Sequence, residues 1–142
     1  MYYVNMEQIE QRLDFIPNLI QTVEQIIAKW DGSLHSSFAQ ERALHIAIEI
    51  ITDVGSLLID GFLMRDASSY EDIVEIIAQE QAVSPELHAS LLQLVVLRRA
   101  LVQDYIAWER GAIHPQLSSL PVWLPEFAQS VRHFITKELA LK

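Results

Sequence analysis

Apolar residues recur along the chain at steps of three and four, not two, so the sequence predicts helices throughout. A first helix begins near Asn5, a side chain suited to capping, and runs toward Trp30 with Ile9, Leu13, Ile16, Ile20, Val23 and Ile27 as its inner stripe. Pro17 falls inside that stripe and predicts a kink or break there, because it has no N–H for the helical ladder. Asp31-Gly32 ends the helix. A second helix spans about Ser37 to Ile59, with Leu44, Ala47, Ile50, Ile51, Val54 and Leu58 inward and Asp60-Gly61 near its end. Ser69 with Asp72 makes a capping-box pattern and starts a short third helix. "VSPEL" starts a fourth, with Ser84 as N-cap and Pro85 in the first turn. That helix carries Leu87, Leu91, Leu94, Arg98 and Tyr105. "GAIHPQLSSLPVWLP" reads as a turn-rich linker, and a last helix occupies about Pro125 to Leu139. The expected fold class is all-α, an up-down bundle of four to five helices in one domain, 1–142, without internal repeats.

The stretch "LRRALVQDY", residues 97–105, breaks the apolar pattern with charge. On a wheel of about 100° per residue, Leu87, Leu91, Leu94, Leu101, Val102 and Tyr105 all lie within about 60° of Arg98. Arg98 thus belongs to the apolar stripe, whereas Arg99 and Gln103 share a neighbouring face. A buried guanidinium needs a carboxylate or contact with water. Glu49 and Asp53, four residues apart on the second helix, offer an acidic rail for it. The plainer alternative is that an arginine among leucines snorkels or pairs, with no chemical task. Positions 98 and 103 lie about 140° apart on an ideal helix, so one regular helix cannot aim both at one small group. A bend near Val102, or residues from two chains, must assemble any shared site.

Composition narrows the classes. The chain has 142 residues, a length suited to one domain, and half of them are apolar. It contains no cysteine, which excludes disulfides and thiolate sites and fits a cytoplasmic protein. The first residues lack the basic-then-apolar order of a signal peptide, and no apolar run is long enough to span a membrane. A net charge of −9 argues against a broad nucleic-acid surface and leaves room only for a small local basic cleft; neither DNA nor membrane is expected as a partner. There is no glycine-rich phosphate loop and no nucleophile motif. His45, Glu49 and Asp53 share one helix face and could begin a metal site, but nothing in the sequence supplies the remaining ligands; no metal or cofactor is expected. Trp30, Trp108 and Trp123 read as core or dimer anchors rather than base-stacking platforms. Arg65-Asp66 could cap the second helix or its turn.

"RRALVQDY" resembles the signature of the HepT-like proteins, once called domain of unknown function 86, in the HEPN superfamily; that signature is often written R-N-x-L-V-H-x-Y. "AIEIITDVGSLLI" looks like the family's second long helix, and "SYEDIVEIIAQEQAVSPEL" like its short helix and the turn into the motif helix. "DGFLMRDASSYEDI" is similar to the corresponding stretch in a Bacillus subgroup of the family. The resemblance implies a helical two-fold dimer across the motif helix, metal-independent endoribonuclease toxin activity, and a nucleotidyltransferase antitoxin able to adenylylate the motif tyrosine. By position it makes Arg98 the phosphate-binding arginine and Tyr105 the motif tyrosine and modification candidate, with Glu49, Asp53 and Arg99 in support. Gln103 stands at the histidine and Arg99 at the usual asparagine. A glutamine amide donates and accepts hydrogen bonds but cannot shuttle protons near neutral pH. The expectation is a divergent member with weak or absent nuclease activity. The alternatives are a non-catalytic module that binds RNA, a nucleotide or a protein at the same cleft, and a purely structural dimer domain. His114 could in principle replace the missing imidazole, against its plainer reading as a solvated loop histidine beside Pro115.

Overall fold

The structure, a computed structural model, describes residues 2–141. It is built from α1 (Met6–Ala28), α2 (Leu34–Gly61), α3 (Tyr70–Gln79), α4 (Pro85–Val95), the short α5 (Arg98–Val102) and α6 (Leu120–Ala140), with single 3-10 turns at Tyr105–Ala107 and Leu117–Ser119. No strand occurs among the described residues. The helix starts follow the capping logic of the sequence. Asn5 Oδ1 accepts from the N–H of Gln8, and Ser84 Oγ accepts from that of Leu87. Ser69 Oγ accepts from Asp72 N–H, but the Asp72 carboxylate turns one residue further back, to Ser68 N–H, and also takes two bonds from Arg65 at 2.8 and 2.9 Å. Arg65 therefore ties the loop after α2 to the start of α3.

α2 is the central element: it packs against α1, α3, α4, α5 and α6. Its expected inner residues Leu44, Ala47, Ile50, Ile51, Val54 and Leu58 are all buried, joined by Ile48, Gly55 and Ile59. Gly55 is needed for space, since a Cβ there would run into the Ile73 side chain of α3. α1 and α6 complete the core with Leu13, Ile16 and Val23 on one side and Leu124, Phe127 and Val131 on the other.

Four expectations need correction. α1 runs uninterrupted through Pro17 and stops at Ala28 instead of Trp30, and its buried stripe takes Leu19 while Ile20 and Ile27 are half-buried. α2 starts three residues before Ser37, at Leu34, because Ser33 caps it through Ser36 N–H. The linker is shorter than expected, as α6 already begins at Leu120. Pro121 sits in its first turn, where no N–H is required, and the helix continues through Pro125. The fourth helix does not reach Tyr105. It ends at Val95, and Val96 and Leu97 form a tightened turn with ψ of −18° and −15°, in which Leu97 N–H bonds to Leu94 C=O. A new, short helix then starts at Arg98, so the wheel drawn across this break does not apply. The bend expected near Val102 is present: α5 ends there, and the N–H groups of Gln103 and Asp104 both bond to Arg99 C=O, at 2.9 and 3.0 Å.

Candidate functional site

The exposed and half-buried side of α2 carries Glu41, His45, Glu49 and Asp53 at four-residue intervals, one above the other. Three arginines from three other elements dock onto this rail. Arg110 approaches Glu41 as a fork, with Nε and Nη2 at 2.9 and 2.8 Å from the two carboxylate oxygens. Arg98 Nε donates to Glu49 Oε1 at 3.0 Å. Arg12 of α1 donates to Asp53 at 3.2 Å. The expected pairing of Arg98 with the rail thus holds for Glu49, whereas Asp53 serves α1 and does not reach the motif arginine. His45 Nε2 lies 3.1 Å from the same Glu49 oxygen that holds Arg98. The carboxylates proposed as the start of a metal site are accordingly engaged with guanidinium groups.

Arg98 is half-buried and gripped on two sides. Besides the Glu49 bond, its guanidinium carbon lies 3.8 Å from the centre of the Tyr70 ring, at the first position of α3. Its two Nη groups have no hydrogen-bond partner among the described residues. Tyr70 was not legible as a site residue: its only sequence signal is an aromatic directly after the Ser69 cap.

The remaining motif residues are less constrained. Arg99 is exposed and loosely paired with Asp104 at 3.7 Å. Gln103 is exposed, and so is Tyr105, which lies in the 3-10 turn after α5. The backbone of that turn is fastened from α2. Arg110 Nη2 donates to Tyr105 C=O at 2.8 Å while it holds Glu41. Further along, Ser37 Oγ accepts from Gly111 N–H, and the buried Gln40 side chain bonds to both Ala112 C=O and His114 N–H. Trp30 Nε1 donates to Gly111 C=O, so this tryptophan anchors a loop. Sequence reasoning missed Glu41, Gln40 and Arg110. Glu41 alone had a signal, as the preceding member of the four-residue series.

His114 is not a solvated loop histidine. Its ring stacks on Trp108 at 5.4 Å, and Nδ1 accepts from Gln116 N–H at 3.1 Å. Burial pushes its pKa below the ordinary value, which favours the neutral ring. Trp108, Asp104 and His114 line a cleft of about 280 Å³ beside α5. The four-residue rail, the Arg98 grip and the two breaks in the motif segment define a small helical protein with a half-buried arginine held where α2, α3 and α5 meet.

Comparison with known proteins gives that arrangement its family. Residues 7–118 match the family described as Ribonuclease HepT-like, and the chain belongs to it. It is 31% identical over 139 residues to the RNase-like protein YutE of Bacillus subtilis (strain 168), covering 98% of this chain and 95% of YutE. The solved structure of YutE, described as a cytosolic protein of unknown function, superimposes with a TM-score of 0.85 over 98% of this chain and 96% of that one. A tri-AMPylated HEPN toxin from Shewanella oneidensis, solved in complex with its MNT antitoxin, matches with a TM-score of 0.71 at 17% identity, over 91% of this chain and 96% of the toxin. A toxin–antitoxin structure with AMP-PNP matches at 0.68 and 16%, over 91% and 97%. At such identities the last two show a shared fold. No described helix is long and apolar enough to cross a membrane.

Proposed function

We propose that this chain is a divergent HepT-like protein that engages RNA phosphodiesters at Arg98 and has weak or no endoribonuclease activity through its motif. The observation that carries this reading is the state of Arg98. Glu49 and Tyr70 fix the base of its guanidinium, while both Nη groups remain free to form a fork with a phosphate. Gln103 supplies no proton transfer, and losing a general acid or base commonly lowers a rate by about 10²- to 10⁴-fold.

The same reading makes residues 1–142 one HepT-like unit that acts in the cytoplasm as a homodimer across the motif segment. Exposed Tyr70, Val96, Tyr105 and Ile106 support an apolar interface there. The Shewanella complex supports a nucleotidyltransferase antitoxin as partner, and exposed Tyr105 is then the candidate for modification.

The test is binding of a labelled RNA oligonucleotide at fixed low salt. One lost charge-assisted bond is worth about 1.5–3 kcal/mol, so Arg98→Ala should weaken binding by about 10-fold or more while the helical fold survives. Equal affinity of folded Arg98→Ala and wild type would overturn the reading.

A further inference from the structure

The motif segment holds no imidazole, yet the Arg98 network does. His45 Nε2 and Arg98 Nε address the same atom, Glu49 Oε1, at 3.1 and 3.0 Å. On the other side of the ring, His45 Nδ1 lies 3.2 Å from Arg42 Nη1. A guanidinium has donors only. The Arg42 contact therefore makes Nδ1 the acceptor and puts the ring proton on Nε2, where Glu49 accepts it. The ring is thus oriented by a carboxylate through one nitrogen, and the lone pair on the other is covered by exposed Arg42; a substrate hydroxyl that displaces Arg42 from Nδ1 meets a general base. Two guanidinium groups flank it: Arg98 from α5, half-buried and bonded to Glu49, and Arg42 from α2, exposed and bonded to Nδ1. The charged groups that face His45 in this network are thus Arg42 and Glu49 on its own helix and Arg98 from α5.

We propose that His45 is the general base of the slow cleavage that remains at this site, where position 103 holds no imidazole. The proposal rests on the RNA-binding reading above. In the step, His45 Nδ1 takes the 2′-hydroxyl proton as O2′ forms its bond to phosphorus. The bond from phosphorus to O5′ breaks with its electron pair on O5′, which takes a proton from solvent water. The products are a 2′,3′-cyclic phosphate and a 5′-hydroxyl. Glu49 Oε1, as acceptor from Nε2–H, stabilises the imidazolium that forms, and Arg98 and Arg42 stabilise the charge that builds up on the phosphoryl oxygens. Whatever cleavage the protein performs runs through His45.

His45→Gln tests this, because the amide still donates to Glu49 but takes no proton near neutral pH. Two quantities are measured: cleavage of an RNA oligonucleotide in EDTA, and affinity for the same sequence with 2′-O-methyl groups, which cannot be cleaved. The expected result is a loss of cleavage by about 100-fold or more, with affinity held to within about twofold. Cleavage by His45→Gln at the wild-type rate would overturn the proposal, and so would a loss of affinity in proportion to the rate. Arg98-dependent RNA binding by a wild-type protein that never cleaves would overturn the role of His45 and leave the RNA-binding reading standing. Failure of that reading has a separate signature, the absence of any Arg98-dependent binding.

Discussion

The rail on α2 and the motif segment at 96–107 face each other, and they are built in opposite ways. The rail lies on a helix of 28 residues whose other sides are buried against every neighbour. Its side chains are spaced by the helix itself, and its three carboxylates each hold an arginine from another element. The motif segment turns at Val96–Leu97, again at Gln103–Asp104, and then passes into a 3-10 turn, with no buried side chain in either short piece. Its shape comes from outside: Glu49 and Tyr70 fix Arg98, and Glu41 fixes Tyr105 through Arg110. The position of Arg98 is therefore set largely by α2, which holds in place a segment with little packing of its own.

If so, damage to the rail should exceed damage to the motif, in an order set by burial. The largest effect is expected for Glu41→Ala. The Arg110 pair is only 23% and 14% exposed, so removing the carboxylate strands a desolvated guanidinium and should cost about 3 kcal/mol in urea unfolding. Amide exchange of residues 105–111 should rise with it, and a variant as stable as wild type would break the comparison. Asp53→Ala comes next: its pair with Arg12 is 32% and 44% exposed, and about 1 kcal/mol or less is expected. Asp104→Ala, inside the motif segment, faces an Arg99 that is 79% exposed, so the same measurement should stay within about 0.5 kcal/mol of wild type. A larger loss there would mean that the motif segment contributes to its own shape.

The smallest effect concerns the foot of the same helix. Hydrogen bonds from the side chain and backbone of Ser33, and from the Ser36 hydroxyl, lower the pKa of Asp31 to about 2. A carboxylate with a depressed folded-state pKa contributes fully above its unfolded value of about 3.9, and the contribution is lost as pH falls from there through about 2. The first turn of α2 should fray over that window, visible as faster amide exchange at Ser33 and Ser36, with the rail further along unaffected. An Asp31 that titrates near the ordinary carboxylate value would contradict this.

Much of this was legible in the sequence, unevenly. The buried stripe of α2, the caps at Asn5, Ser69 and Ser84, and the Arg98–Glu49 pairing follow from periodicity and from the cost of burying a lone charge, both local rules. The break at Val96–Leu97 was not, because no glycine or proline marks it; an apolar stripe looks continuous on a wheel even where the backbone turns. Tyr70 and Arg110 were missed for another reason. Their roles depend on which distant segments meet α2, and a tyrosine after a helix cap or an arginine in a loop carries no sign of that. Pro17 and Pro125 misled in the opposite direction, since packing of α1 and α6 on the core outweighs one missing ladder bond at each.

Position 103 holds a glutamine where the motif would place an imidazole beside the held Arg98. Gln103→His tests the consequence most directly, by cleavage of an RNA oligonucleotide in EDTA under conditions where wild type is slow. Position 103 is exposed, so the substitution should fold as wild type does. The expected result is an increase in rate of about 100-fold or more, abolished by adding Arg98→Ala. A folded Gln103→His protein that cleaves no faster than wild type would contradict the account.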